Sequence, residues 1–247
     1  MKTVFLRDDD VFKADGTFLK IFRFCLENRI PVVYGIIPGL LTPAAAQTLR
    51  EAKRRFPRLL DIAQHGWLHK DHSGRGFDKY EFGPRRSFEL QKNDMGLGVK
   101  KMKRVFGRFR ANVFVPPYHG YDSATIRAAR FWKFAVFSAG KQKKERFPFL
   151  SLPAEISLNS YSHSGEPRPL SCKEMILRSR MILSAAPLCS GMVFHHRAYG
   201  DQASWNQLKR FLLYLKRLEA QRWTRLVLFS DLLKARLRVP GRFGGRR

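Results

Sequence analysis

Segments with helical and with strand-like hydrophobic spacing alternate along almost all of this 247-residue chain. That alternation restricts it to an α/β architecture of repeated βα units. A strand-like run from Thr3 to Leu6 is followed by Phe18, Ile21, Phe22 and Cys25 at the spacing of one helix face. Strands are expected at 31–37 and 59–63, with a helix between them that Thr42 caps, Pro43 opens and about Arg55 ends. Phe88, Met95, Val99, Met102 and Phe106 place an amphipathic helix over 86–106, after a polar loop at 70–84. Strands at 112–116, near 134–138, 148–152 and 155–158, and at 191–194 and 225–229 follow. Helices at 123–130, 172–185, 204–220 and 230–236 complete the pattern. No GxGxxG or GxxxxGK[ST] run is present, so a barrel is expected rather than a nucleotide-binding open sheet. One domain over 1–238 accounts for the pattern, and the Gly/Arg-rich tail at 239–247 is expected to be disordered.

Three widely spaced cysteines, Cys25, Cys172 and Cys189, form neither a disulfide framework nor a zinc ribbon and fit a reducing compartment. The N-terminus runs almost directly into the first strand without the pattern of a secretory signal. The longest uncharged stretch, Met181 to Phe194, is too short to span a bilayer and is expected to hold a helix end, a turn and a strand. A soluble cytoplasmic protein is the expectation. The charge is unusual: 47 Lys+Arg against 20 Asp+Glu, net +27. From Lys101 to Leu150 the only acids are Asp122 and Glu145. Such a field favours anionic partners, whether nucleic acid, an anionic membrane face or a phosphorylated substrate. The plainer alternative is a set of solvated basic faces.

Four short pieces end apolar runs in groups that hold a metal or move a proton: Arg7-Asp8-Asp9-Asp10, His65-Gly-Trp-Leu-His69, Val115-Pro-Pro-Tyr118 and His195-His196. Strands delivering polar residues at one end are how a barrel enzyme builds its site. On a helical turn His65 and His69 would share one face and a metal. Gly66 stands where the HExxH metalloproteases need Glu, which excludes that reading. The Asp cluster is the natural further donor, because buried carboxylates need a cation or Arg. Strand alternation turns Asp9 and Asp10 to opposite sides, so one is expected to bind metal and its neighbour to act as general base. Pro116-Pro117 makes a rigid strand exit that would hold the Tyr118 N–H for an oxyanion, the alternative being an ordinary strand terminator. His195 or His196 is a candidate general acid.

In this order, Asp-Asp, HxxxH, Pro-Tyr and a strand ending in His resemble the polysaccharide deacetylases, carbohydrate esterase family 4, over roughly residues 3–230. The run His65-Gly66…His69, Glu81-Phe82-Gly83-Pro84-Arg85-Arg86, Gln91 and Asp94 is similar to an uncharacterised branch of that superfamily. The resemblance implies a distorted (β/α)7 barrel and a metal-dependent hydrolase that removes acetyl groups from an N-acetylated sugar. It implies Asp9 as base, Asp10, His65 and His69 as ligands of a divalent ion such as zinc, the Tyr118 N–H in the oxyanion hole, and His195 or His196 as acid. Two departures stand out: Val115 occupies the place of the family's base-orienting arginine, and 152–158 lacks the expected Asp or Trp. Arg7 and Arg86 are the candidates to take over that orientation, with Glu81 as a further supporting residue. The basic charge suits an anionic or lipid-linked substrate, or peripheral contact with an anionic membrane. Alternative readings are an inactive sugar- or metal-binding relative and a basic nucleic-acid-binding protein, although no recognition platform for the latter is visible.

Overall fold

A computed structural model describes residues 1–74, 78–140, 149–162, 165–185 and 189–238. The elements in chain order are β1 (Lys2–Val11), α1 (Gly16–Glu27), β2 (Val32–Ile36), α2 (Pro43–Arg55), β3 (Leu60–His65), α3 (Phe88–Phe106) and β4 (Arg110–Val115). Next are α4 (Ser123–Phe131), β5 (Val136–Phe137), β6 (Leu150–Ser151), β7 (Ala154–Ser157), β8 (Asn159–Tyr161), β9 (Pro167–Pro169) and α5 (Cys172–Ala185). The chain continues through β10 (Cys189–Phe194), α6 (Gln202–Ala220), β11 (Thr224–Leu226) and α7 (Phe229–Arg238). The expected 239–247 tail lies outside the described residues.

The principal sheet is parallel, in the order β6-β5-β4-β3-β2-β1-β10-β7, with β11 added to the start of β1. Strand pairing ends at β6 and β7, so the sheet curls into a barrel that it does not close. Because strand polarity is shared, the C-terminal ends of β1, β3, β4 and β10 open on one face, carrying the motif residues.

Local signals explain the helices. Asp15, Thr42, Ser87, Asp122 and Asp201 each accept a backbone N–H in the first turn of α1, α2, α3, α4 and α6. Helix α1 lays Phe18, Ile21, Phe22 and Cys25 on the sheet, where Phe18 and Phe22 meet the Tyr34 ring. A second apolar cluster fills the barrel interior with Phe5, Val33, Ala63, Val113, Val115 and Val193. Among the described residues no helix is long and apolar enough to cross a membrane.

Three expectations change. The first strand extends to Val11 instead of ending at Leu6, so Asp8, Asp9 and Asp10 lie within it. The stretch from Gly66 to Lys70 is not helical, so His65 and His69 do not share a helical turn. An antiparallel β8–β9 hairpin is added to the expected pattern, because Pro167 and Pro169 disguise an edge strand.

Candidate metal and proton-transfer site

Strand β1 delivers four polar side chains that are all buried: Arg7, Asp8, Asp9 and Asp10. Pairing with β2 is regular at Asp8↔Tyr34 but resumes at Val11↔Ile36, which inserts an extra residue in β1. Asp10 sits at φ 63°, in the left-handed region. This bulge cancels strand alternation, and Asp9 and Asp10 line the same cavity rather than opposite faces. Asp8 turns the other way, where its Oδ1 accepts the His196 N–H and meets His196 Nδ1, both at 3.0 Å. Gly35 provides the room for Asp9, since a Cβ there would lie 2.7 Å from Asp9 Oδ1.

His65 ends β3 and His69 returns to it through a tight loop with Gly66 at φ 61° and His69 at φ 56°. Their Nε2 atoms lie 3.2 and 3.0 Å from Asp10 Oδ1. The three donor atoms fall within 4.8 Å of one another. Asp10 Oδ1 is buried and forms no hydrogen bond in acceptable geometry, although two imidazole nitrogens adjoin it. His65 Nδ1 meets the Val115 carbonyl at 3.1 Å, an oxygen that only accepts, so Nδ1 carries a proton and Nε2, the nitrogen turned toward Asp10, is the one available to a metal in the neutral ring. An orphaned carboxylate oxygen between two imidazoles is a donor set that fits a divalent transition-metal ion. Arg197 Nη2 donates to Asp10 Oδ2 at 2.8 Å, holding the carboxylate by its other oxygen.

Asp9 is gripped from its own strand. Arg7 Nε and Nη2 donate to Asp9 Oδ1 and Oδ2 at 2.8 and 2.9 Å, while Nη1 donates to the carbonyl and hydroxyl of Ser138. Burial raises the Asp9 carboxyl, but the Arg7 guanidinium and nearby imidazoles outweigh it and hold the group below the ordinary carboxylate range. Arg86 lies elsewhere, donating to the Glu81 carbonyl at 3.0 Å and pairing with Asp94 at 2.7 Å.

Glu81 itself accepts the Trp67 N–H at 3.1–3.2 Å and the Leu68 N–H at 2.7 Å, closing the loop between the two histidines. A Cβ on Gly66 would overlap Glu81 Oε2 and Pro117. Gln91 donates to the Gly83 and Arg86 carbonyls and accepts from Thr125 Oγ1, tying this brace to α3 and α4.

His195 and His196 separate. His195 lines the cavity, with its N–H and Nδ1 on Asn159 Oδ1 at 3.1 and 3.0 Å and the Tyr161 hydroxyl against its ring. An amide oxygen accepts only, so Nδ1 carries the proton and Nε2 is left facing the cavity, 3.9 Å from Asp10 Oδ2. Burial lowers the His195 pKa, opposed by Asp10 and Asp9. His196 is buried behind it against Phe18 and does not line the cavity. At the β4 exit Tyr118 and His119 adopt φ 57° and 59° in succession. The Tyr118 hydroxyl donates to the His69 carbonyl at 2.9 Å. His119, half-buried and lowered to a pKa of about 3 by desolvation and by Arg7, adds a neutral imidazole to the wall.

Asp9, Asp10, His65, His69, Tyr118 and His195 therefore share one cavity of about 850 Å³, walled also by Tyr121, Tyr161 and Arg197. Sequence reasoning missed Arg197, Asn159, Tyr161, Ser138 and His119. Arg197 and His119 adjoin motifs already singled out, which was the one available signal; the other three are brought in by tertiary folding alone.

No family model matches the chain, and no curated protein matches it. Solved structures do. A putative polysaccharide deacetylase from Mycobacterium smegmatis superposes with TM-score 0.67 at 14% identity, covering 100% of this chain and 95% of that one. A family 4 acetyl xylan esterase from Clostridium thermocellum, solved with a cobalt ion, gives 0.64 at 12%, covering 95% and 92%. A CE4 family pseudoenzyme from Bacillus anthracis gives 0.60 at 10%, covering 94% of this chain and 65% of that chain. The fold is thus the distorted (β/α)7 barrel of carbohydrate esterase family 4.

Proposed function

We propose that this protein is a metal-dependent deacetylase that hydrolyses the acetamide of an N-acetylated sugar, releasing acetate and an amine. The observation that carries this reading is the convergence of Asp10, His65 and His69 on one point, beside a second carboxylate locked by an arginine. Asp10, His65 and His69 would hold a divalent ion such as zinc, which would supply Lewis acidity to a water molecule and to an acyl carbonyl. A neighbour of the same fold was solved in complex with a cobalt ion, which supports a metal-binding reading.

The chain's own residues divide the remaining work. Asp9, kept ionised by Arg7, takes the proton of the attacking water. The turn bonds after β4 run from His119 to Pro116 and from Gly120 to Pro117, which leaves the Tyr118 N–H outside them to donate to the oxyanion. His195, its Nδ1–H held by Asn159, takes a second proton at Nε2 from water in the open cavity and passes that proton to the departing nitrogen. His196 is assigned a supporting role through Asp8. Arg7 supplies the guanidinium that Val115 cannot, which favours an enzyme over the pseudoenzyme reading offered by one neighbour. Incubating the protein with N-acetylated sugars and oligosaccharides, with and without added zinc, tests this reading. Acetate release that requires the metal is expected; bound metal without acetate release from any acetylated sugar would leave a binding protein.

A further inference from the structure

The net charge of +27 is not concentrated at the cavity. Its rim carries both signs, with Asp78, Lys79, Glu166 and Arg197 all among the lining residues. In a (β/α) barrel the turns from helices back into strands form the opposite face. There the exposed residues are dominated by bases: Arg29 before β2, Arg55 and Arg58 before β3, Arg104 before β4, Lys133 before β5 and Arg222 before β11. None of the six pairs with a described carboxylate. The acids of that face are largely engaged. Asp61 is buried between Lys53 and the Ser230 N–H, Glu219 bonds Lys216 and the Leu226 N–H, and Asp231 accepts the Leu228 N–H. Glu27, exposed before β2, and Glu155, half-buried at the start of β7, are the acids that remain there among the described residues.

A second observation lies in the same face. Trp223, in the turn between α6 and β11, is 70% exposed and stands between exposed Arg222 and Arg225. The turn is pinned rather than loose, because the Lys2 N–H donates to the Trp223 carbonyl at 2.9 Å. A fixed, water-exposed indole among arginines is the composition of a membrane–water interface, where the ring sits at headgroup depth and the bases meet anionic lipid.

We propose that the face opposite the cavity docks on an anionic lipid bilayer, with its arginines and lysine meeting the headgroup charge and Trp223 entering the interface. The layout of the charges selects a bilayer over nucleic acid. They come from five helix-to-strand junctions, at β2, β3, β4, β5 and β11, so they are spread over that end of the sheet rather than set in one line, which suits a plane of charge. A duplex would meet one row of them. Docking this way leaves the cavity open to solution, and the inference does not depend on the proposed chemistry.

Co-sedimentation of the full chain with vesicles tests it. Vesicles of phosphatidylcholine alone and vesicles with about 30% phosphatidylglycerol are compared at about 0.1 M salt. Binding to the anionic vesicles only, lost at about 1 M salt, is expected. The variant R58E/R104E/R222E should bind at least ~100-fold more weakly, from about fivefold per base, and Trp223→Ser severalfold more weakly. A control that reverses three exposed bases of the cavity side, K13E/K70E/R168E, should bind within about twofold of the wild type. Unchanged circular dichroism and metal content in all variants separate loss of docking from loss of fold. Equal binding to both vesicle types, no binding to either, or equal weakening by the control variant would overturn the proposal. So would retention of a labelled RNA or DNA duplex without vesicle binding, which would assign the face to nucleic acid.

Discussion

Arg7 decides how Asp9 behaves. A buried carboxylate held by two guanidinium bonds is ionised and aimed; the same carboxylate without its partner is a buried, uncompensated charge. Arg7→Ala is expected to destabilise the fold by about 3–5 kcal/mol, read from denaturant unfolding. The pH dependence follows in sign. Asp9 is held below 3.8 in the wild type, so its contribution to stability is present above that value and fades as pH falls through the lowered pKa. Removing the guanidinium leaves burial dominant, which raises the carboxyl pKa, so the acid limb of the pH–rate profile should move to higher pH in Arg7→Ala. A limb that stays in place would remove Asp9 from the role of base. Asp9→Asn should cut turnover by about 10²–10⁴-fold while leaving metal content unchanged, measured by acetate release and metal analysis on one sample. Single residues were the scale most legible in the sequence: strand-end Asp and His types are costly to bury without a purpose, and they stand out for that reason. The Arg7–Asp9 pairing was within reach because i and i+2 share a strand face.

At the scale of the element, the rules of regular structure fail at two places that shape the site. Alternation separates Asp9 from Asp10, yet a one-residue bulge brings both to the cavity. Helical spacing explains an HxxxH pair, yet the loop from Gly66 to His69 is irregular and its shape is imposed from outside by Glu81. Neither a bulge nor a loop held by a distant carboxylate has a local signature, which is why the sequence showed the residues but not their backbone. Glu81→Gln keeps the volume but replaces one accepting oxygen with a donor that faces two N–H groups. Metal affinity is expected to fall about 10–100-fold, as for removal of groups that orient ligands, with the circular dichroism spectrum retained. Isothermal titration of the metal-free variant with zinc measures this, and an unchanged affinity would make the brace purely structural. Helix α2 was legible to the residue because its Thr42 cap and Pro43 start are local signals.

Over the whole molecule, repeated βα units named the barrel before any contact was known, since parallel strands have few other ways to bury both faces. The β8–β9 hairpin, which brings Asn159 and Tyr161 to His195, was not legible; its partners are set by long-range packing. A metal held by Asp10, His65 and His69 would be coupled to the fold through the two strands and the loop that carry those residues. A ligand that binds only the folded chain stabilises it by about 2.7 kcal/mol at a hundredfold excess over its Kd. For a domain of this size that corresponds to a rise in Tm of about 5–10 °C on adding zinc to the chelated protein, absent in His65→Ala/His69→Ala. The most direct measurement is the metal content of purified wild type and of that double variant, with acetate release assayed on the same samples. About one divalent ion per chain in the wild type, none in the variant, and acetate release only where the ion is present is the expected result. A wild type that binds no ion even after reconstitution would contradict the metal site and, with it, the hydrolytic function.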